Sequence, residues 1–424
     1  MITLILIAVS TLNVALHSAN AAPFRIDLSS YSTGSGDKTV GPVYGEAGSD
    51  AAQIGDHNGD GLVDYMVGAQ SANMVVIVMK GSLDNSEIID MATVVSGQYF
   101  RVIRGPAFSR LGSSVGGIGD INDDSFDDVI MGAPEGTVPG RGSAGYAYVL
   151  FGMEGPFTDL EVTATWAASS LGFMILGPSE RVGLVNDPRT ARGLGDVNGD
   201  GVDDFAVAAR AYSGTSGRGA AGHVWLIPGR KGLPFDNIDL LPANFGSDGI
   251  VLIGPEAGNL FGQAVMPAGD FNGDGLADFL IGALYARFVF DGADRMNAGA
   301  AYLFYGAEIF PTTFDMANFV TGTMGVRFGA DTNQQLGHAL GGVGDVNDDG
   351  FDDIGLGAMN ANATLRALCS LSSETVAPTP QMLISATTQL LHWVLPFTVP
   401  RIPLVFASLL LRVILTTMES VIFL

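Results

Sequence analysis

The residues best suited to chemistry are acidic and fall in five nine-residue runs: DHNGDGLVD (Asp56 to Asp64), DINDDSFDD (Asp120 to Asp128), DVNGDGVDD (Asp196 to Asp204), DFNGDGLAD (Asp270 to Asp278) and DVNDDGFDD (Asp345 to Asp353). Each run carries side-chain oxygens at positions 1, 3, 5 and 9. Position 7 is always apolar, so it has only its backbone carbonyl to offer, as in other calcium loops. The predicted donor set of the first loop is Asp56, Asn58, Asp60, the Leu62 carbonyl and Asp64; that of the second is Asp120, Asn122, Asp124, the Phe126 carbonyl and Asp128. The third uses Asp196, Asn198, Asp200, the Val202 carbonyl and Asp204, and the fourth Asp270, Asn272, Asp274, the Leu276 carbonyl and Asp278. The fifth uses Asp345, Asn347, Asp349, the Phe351 carbonyl and Asp353. Hard oxygen donors select Ca2+ over zinc or copper, and magnesium demands a tighter octahedron and keeps its waters. Without a cation, the carboxylates of one short loop repel each other and raise their own pKa values.

Two other readings of these loops fare worse. An EF-hand needs a glutamate at position 12 and a following helix, but position 12 is Val67, Met131, Val207, Ile281 or Leu356. A metal-free turn rich in Asp, Asn and Gly would account for one loop, not for five in register. Position 6 is glycine in four loops and Ser125 in the second. Because glycine adopts positive φ cheaply, the second site is predicted to be the weakest.

Catalysis finds little support. The five histidines, His17, His57, His223, His338 and His392, form no close pair, and no GxSxG, HExxH or phosphate-binding P-loop occurs. His57 and His338 read as loop or surface residues. The loop carboxylates resemble those of glycosidases in type alone, and saturation by a cation makes them structural. The chain therefore reads as a binder and not an enzyme.

The charge balance agrees with a cation partner. Lys and Arg total 20 against 44 Asp and Glu, a net charge of -24 that would repel nucleic acid or an anionic membrane. Glycine numbers 58 of 424, about twice the usual ~7%. With 47% hydrophobic residues this excess signals tight turns between short strands, not disorder.

The elements that must hold the loops recur with them, because the loops start 64, 76, 74 and 75 residues apart. Four residues after each last Asp comes a small pair: Gly68-Ala69, Gly132-Ala133, Ala208-Ala209, Gly282-Ala283 and Gly357-Ala358. Next come MVVIVMKG, GYAYVLFG, GHVWLIPG and GAAYLFYG, predicted strands closed by glycine. YFRVIRGP, GFMILGP and GIVLIGP form a third set. Leu111-Gly112, Phe261-Gly262 and Leu336-Gly337 then stand with their glycine eight residues before the next loop, and Val182-Gly183 takes that place in the third unit with five extra residues. Nothing between residues 23 and 365 has sustained helical periodicity, so the fold class is all-β with about four short strands per unit. Radial repetition protects so many strand edges.

The chain ends read differently. Residues 1–21 form an apolar stretch closing on Ala19-Asn20-Ala21, which predicts a signal peptide cleaved before Ala22 and export of the chain. The single cysteine, Cys369, allows no intramolecular disulfide, which leaves bound metal to staple the loops. After Met359 the expected second strand of the fifth unit does not follow, and residues 366–424 form a divergent apolar tail. Its last stretch, Ile402 to Leu424, is long enough to span a bilayer but contains Arg412 and Glu419; the tail is a membrane anchor, a packing segment or a chain-end artefact. Asn362-Ala363-Thr364 is a lone glycosylation sequon.

The recurrence of acidic loop, small pair and closing glycine closely resembles the FG-GAP repeats of integrin α subunits and their bacterial relatives, with Phe261-Gly262 as the FG and Gly132-Ala133-Pro134 as the full GAP. The resemblance implies a β-propeller over residues 22–365, with calcium in hairpin loops on one face and ligands usually engaged on the opposite face. It also implies adhesion, or recognition of an extracellular protein or glycan, at the cell surface or after secretion. Integrin heads have seven blades, whereas five acidic loops and a leading FRIDLSS segment are legible here, which implies a smaller or incomplete ring or one closed by cryptic strands. A structural envelope scaffold, or the propeller part of a hydrolase, are the alternatives the same residues allow.

Overall fold

The computed structural model describes residues 47–79 and 96–360 apart from isolated loop positions, with short strands at 25–26, 88–89, 369–371 and 382–384. The predicted signal peptide, the sequon and the apolar stretch from Ile402 lie outside the described residues. The chain divides into two units, 1–386 and 387–424, and every described strand belongs to the first. Among the described residues no helix is long and apolar enough to cross a membrane.

The structure is nearly all-β, and its FG-GAP-type units are β-propeller blades. Blade 1 is built from Ala47–Gly55, Asp64–Ala69, Met74–Val78 and Phe100–Arg104. Blade 2 comprises Val115–Gly119, Asp128–Ala133, Tyr146–Leu150 and Gly172–Leu176. In blade 3 the strands are Ala191–Gly195, Asp204–Ala209, His223–Ile227 and Ile250–Ile253; in blade 4 they are Phe261–Gly269, Asp278–Ala283, Ala300–Phe304 and Gly325–Ala330. Among the described residues Leu336–Gly344, Asp353–Ala358 and Cys369–Leu371 make up blade 5. Within each blade these strands pair antiparallel in chain order, and the first strands of consecutive blades pack against one another.

The sequence suggested about four strands per unit, but four of the blades carry a fifth. Leu160–Glu161 follows the third strand of blade 2 in the chain yet pairs in parallel with Phe100–Arg104 of blade 1. Ile238–Asp239 returns to blade 2 in the same way, Thr313–Asp315 to blade 3 and Met382–Ile384 to blade 4. Each unit thus lends a strand backward and covers an edge that would otherwise expose unpaired backbone. An arginine pins the loan in two blades: Arg141 binds Asp239 at 2.7 Å, and Arg218 binds Asp315 at 2.8 Å. Two of the short strands lie beyond Met359, where the sequence pattern had broken off.

Successive residues of a strand face opposite sides, and here both sides are covered. In the second strand of blade 2, Val129 and Met131 join the core shared with blade 1, while Ile130 joins the core shared with blade 3. Trp225 and Ile227 of blade 3 look toward blade 2, and Val224 and Leu226 toward blade 4. Burial on both faces explains why these strands read as continuous apolar runs without polar alternation. Blade 5 differs, since Ile354 and Leu356 enter the core shared with blade 4 while Gly355 and Gly357 occupy the other face.

The small pairs and closing glycines meet across blades. A Cβ on Gly68 would lie 2.0 Å from the Gly112 carbonyl oxygen, and one on Gly282 would lie 2.0 Å from that of Gly337. The third unit corrects the sequence reading: Val185, not Gly183, takes the place of Gly112. Its N–H donates to the Ala208 carbonyl just as that of Gly112 donates to Gly132, and Leu184 fills the buried site of Leu111.

Candidate metal centre

Each acidic loop joins the first strand of a blade to the second, so all five lie at the same end of their blades. Their internal hydrogen bonds repeat. The Asp56 carboxylate accepts from the N–H groups of Asp60 (3.0 Å) and Gly61 (2.7 Å). Asp120, Asp196, Asp270 and Asp345 accept equivalently from Asp124 and Ser125, Asp200 and Gly201, Asp274 and Gly275, and Asp349 and Gly350. The position 5 carboxylates accept from the N–H of Leu62, Phe126, Val202, Leu276 and Phe351. Asn58, Asn122, Asn198 and Asn272 accept from position 5. These bonds wind positions 1, 3 and 5 into one tight turn.

The winding needs left-handed backbone at position 6, where φ is +79° at Gly61, +83° at Gly201, +91° at Gly275 and +90° at Gly350. Ser125 adopts the same conformation at +74°, at a cost that glycine does not bear.

The position 9 aspartates are buried within the blades: Asp64, Asp128, Asp278 and Asp353 are 0% exposed and Asp204 1%. One oxygen accepts from the N–H of position 2, that of His57, Ile121, Val197, Phe271 or Val346. The other accepts from the glycine closing the third strand, Gly152 to Asp128, Gly229 to Asp204 and Gly306 to Asp278. In the fifth loop Asp353 Oδ1 has no partner among the described residues. Burial, with repulsion from positions 5 and 1 as a smaller cause, pushes the Asp128 carboxyl up to about 8 and those of Asp204 and Asp278 to about 7. The direction matches the expected mutual repulsion, but desolvation is the larger cause. Three carboxyls held far above their ordinary range fit a donor set built for a cation. Among the described residues no three His, Cys, Asp or Glu side chains form a cluster by themselves; a loop of this kind also draws on an amide and a carbonyl.

Two features escaped sequence reading. Position 8 is aspartate in the second, third and fifth loops, and each reaches back to an earlier loop. Asp127 accepts from Asp56 N–H at 2.6 Å, Asp203 from Asp120 N–H at 3.1 Å and Asp352 from Asp270 N–H at 2.9 Å. The fourth loop has Ala277 there, and the third loop lacks the bond. The signal was the Asp-Asp doublet, which appears only in the loops that cap a predecessor. The apolar side chain at position 7 also does more than follow a carbonyl: Phe126 packs on Gly59, Leu276 on Gly199 and Phe351 on Gly273 of the preceding loop.

His57 is not a surface residue. It is fully buried, its Nδ1 lies 2.8 Å from the Asp127 carbonyl oxygen, and burial lowers its pKa to about 4. His338 is half-buried.

Comparison with known proteins falls on these same units. The FG-GAP repeat model matches residues 111–150, 193–227 and 261–304, each containing an acidic loop with the strands on either side. Integrin alpha-PS2 of Drosophila melanogaster is 27% identical over 197 residues, 45% of this chain and 13% of the relative. Integrin alpha-M of Mus musculus is 35% identical over 107 residues, 25% of this chain and 8% of the relative. Phosphatidylinositol-glycan-specific phospholipase D of Bos taurus is 30% identical over 170 residues, 34% of this chain and 19% of the relative. The chain thus spans less than a fifth of the length of each of these curated relatives. Blades, acidic loops and matched repeats coincide: three of the units are FG-GAP repeats, and through its blades the chain is similar to the integrin α chains.

Proposed function

We propose that the chain is an exported, calcium-loaded β-propeller module that recognises an extracellular protein or glycan, with a signal peptide over residues 1–21 and the propeller over 22–365. The observation that carries this reading is the repetition of one hydrogen-bonded turn in all five loops. Calcium would be held by positions 1, 3, 5 and 9 and the position 7 carbonyl of each loop. It supplies positive charge where carboxylates are crowded and so stiffens one end of every blade. Similarity to integrin α chains favours adhesion or ligand recognition, although the integrins and the phospholipase D alike are matched over only a part of their lengths.

A purely structural role for the metal has its own support, since the position 8 and 9 aspartates tie loops to neighbouring backbone. Thermal unfolding of the chain with calcium titrated against a chelator tests the metal reading: a melting temperature that rises with calcium is expected by linkage, and an unchanged one refutes it. An array of glycans and matrix proteins, probed with and without calcium, separates the roles. Calcium-dependent capture supports recognition, and silence across the array supports the scaffold.

A further inference from the structure

The end of the blades opposite the acidic loops carries a feature at odds with a chain of net charge -24. Arg189 precedes the first strand of blade 3, Arg192 lies near its start, and Arg210 follows the second strand, so all three sit at that end. Arg192 is committed: its Nη1 donates to the carbonyls of Val115 and Ala191, and its Nη2 to Asp50 Oδ2 at 3.2 Å. That contact reaches across blade 2 to blade 1, and Gly116 lacks a side chain where a Cβ would stand 2.8 Å from Arg192 Nη1. Arg210 is committed as well, paired with Asp187 and donating to Gln263 Oε1 at 3.2 Å. Arg189 is not. Among the described residues its guanidinium makes no hydrogen bond or ion pair, although it is half-buried and feels the charges of Arg192 and Asp50.

The backbone of Arg189 is also unusual. It holds φ at +72°, a left-handed conformation that arginine rarely adopts, and its carbonyl is fixed by the Val265 N–H of blade 4 at 2.8 Å. This backbone is thus tied to blade 4 by its carbonyl, while among the described residues the guanidinium beyond it makes no bond. His338 of blade 5 feels the charges of Arg189, Asp187 and Arg210, and Arg189 feels that of Asp50 in blade 1, so charged groups of blades 1 and 3 act on this end together.

We infer that Arg189 is the anchor of a carboxylate-binding site at this end of the propeller, its free guanidinium fork receiving one carboxylate of the ligand that the module recognises. Three guanidiniums against the carboxylates of Asp50 and Asp187 leave an excess of one positive charge, which suits a monoanion better than a phosphate dianion. A planar fork matches a carboxylate in two parallel hydrogen bonds. The inference rests on the recognition reading above and gives that reading its chemistry.

The test titrates the full chain, in calcium, with two carboxylate probes: an aspartate-containing hexapeptide and a glucuronate disaccharide, each beside its neutral amide. Saturable binding of one probe and not of its amide is expected, and which probe binds tells a protein ligand from a glycan. Arg189→Asn should weaken that binding about tenfold or more while the melting temperature holds or rises, because asparagine tolerates left-handed backbone. Should Arg189→Asn fail to fold, Arg189→Lys decides, since it keeps the charge, loses the fork and should bind several-fold more weakly. Absence of binding by both probes, or undiminished binding by the Arg189 variants, overturns the inference. The calcium response of the melting temperature, read on the same samples, reports separately on the metal reading.

Discussion

Asp127 Oδ2 accepts a 2.6 Å hydrogen bond from the N–H of Asp56, joining position 8 of the second acidic loop to position 1 of the first. Asp203 and Asp352 repeat the link, so a loop is shaped partly by the blade that follows it. Asp127→Ala should therefore destabilise the calcium-loaded chain by about 1–3 kcal/mol, the range for losing a hydrogen bond to a charged group. Denaturant unfolding in excess calcium measures it, and a change below a few tenths of a kcal/mol would show that the loops are independent.

The fourth loop offers the converse. Ala277 stands where Asp127, Asp203 and Asp352 stand, with its N–H already bonded to the Asp196 carbonyl. Ala277→Asp is expected to supply the missing cap to the third loop and stabilise the calcium-loaded chain by about 1 kcal/mol. The same unfolding experiment checks it, with loss of stability as the contrary result.

Ser125 holds a conformation that glycine holds in the other loops. Ser125→Gly should tighten calcium binding at the second site and add about 1 kcal/mol of stability, by relieving left-handed strain. Calorimetric titration of the two proteins decides, and equal affinities would remove strain as the reason for a weak second site.

Stability of the metal-free chain should fall as pH rises. The carboxyls of Asp128, Asp204 and Asp278 titrate at about 8, 7 and 7 when folded, against 3.8 when unfolded. Between those values the folded chain holds protons that the unfolded chain has released, so the contribution is complete below about pH 4 and is lost through pH 7 to 8. In chelator the melting temperature should be higher at pH 5 than at pH 8, and calcium should abolish or reverse the difference. A flat profile in chelator would mean that these carboxyls are ionised without a cation.

Gly282 tests the contact between blades 4 and 5. A methyl group there would stand 2.0 Å from the Gly337 carbonyl oxygen, and its three nearest neighbours are all backbone atoms of Gly337, with no flexible side chain to yield. Gly282→Ala should destabilise the chain by about 1–3 kcal/mol, the range for overpacking a well-packed interior. Gly140→Ala, at a left-handed turn position with open space around it, serves as the comparison that separates backbone strain from collision.

Much of this protein was settled by short-range chemistry and so was legible in the chain. The spacing of Asp56, Asn58, Asp60 and Asp64 encodes a turn whose hydrogen bonds lie within nine residues, and it recurs in all five loops. The apolar runs MVVIVMKG and GYAYVLFG are strands because burial on both faces asks for nothing else. Tertiary structure decided what depends on partners far apart in the chain. Asp127 caps a loop 71 residues away, Leu160–Glu161 leaves its own unit for blade 1, and Val185 displaces the glycine that spacing had pointed to. Arg192 reaches Asp50 over 142 residues, while Arg189 near it has no such pair among the described residues. Local spacing fixes which oxygens crowd together in a loop; only the packing of blade against blade determines which charges find a partner.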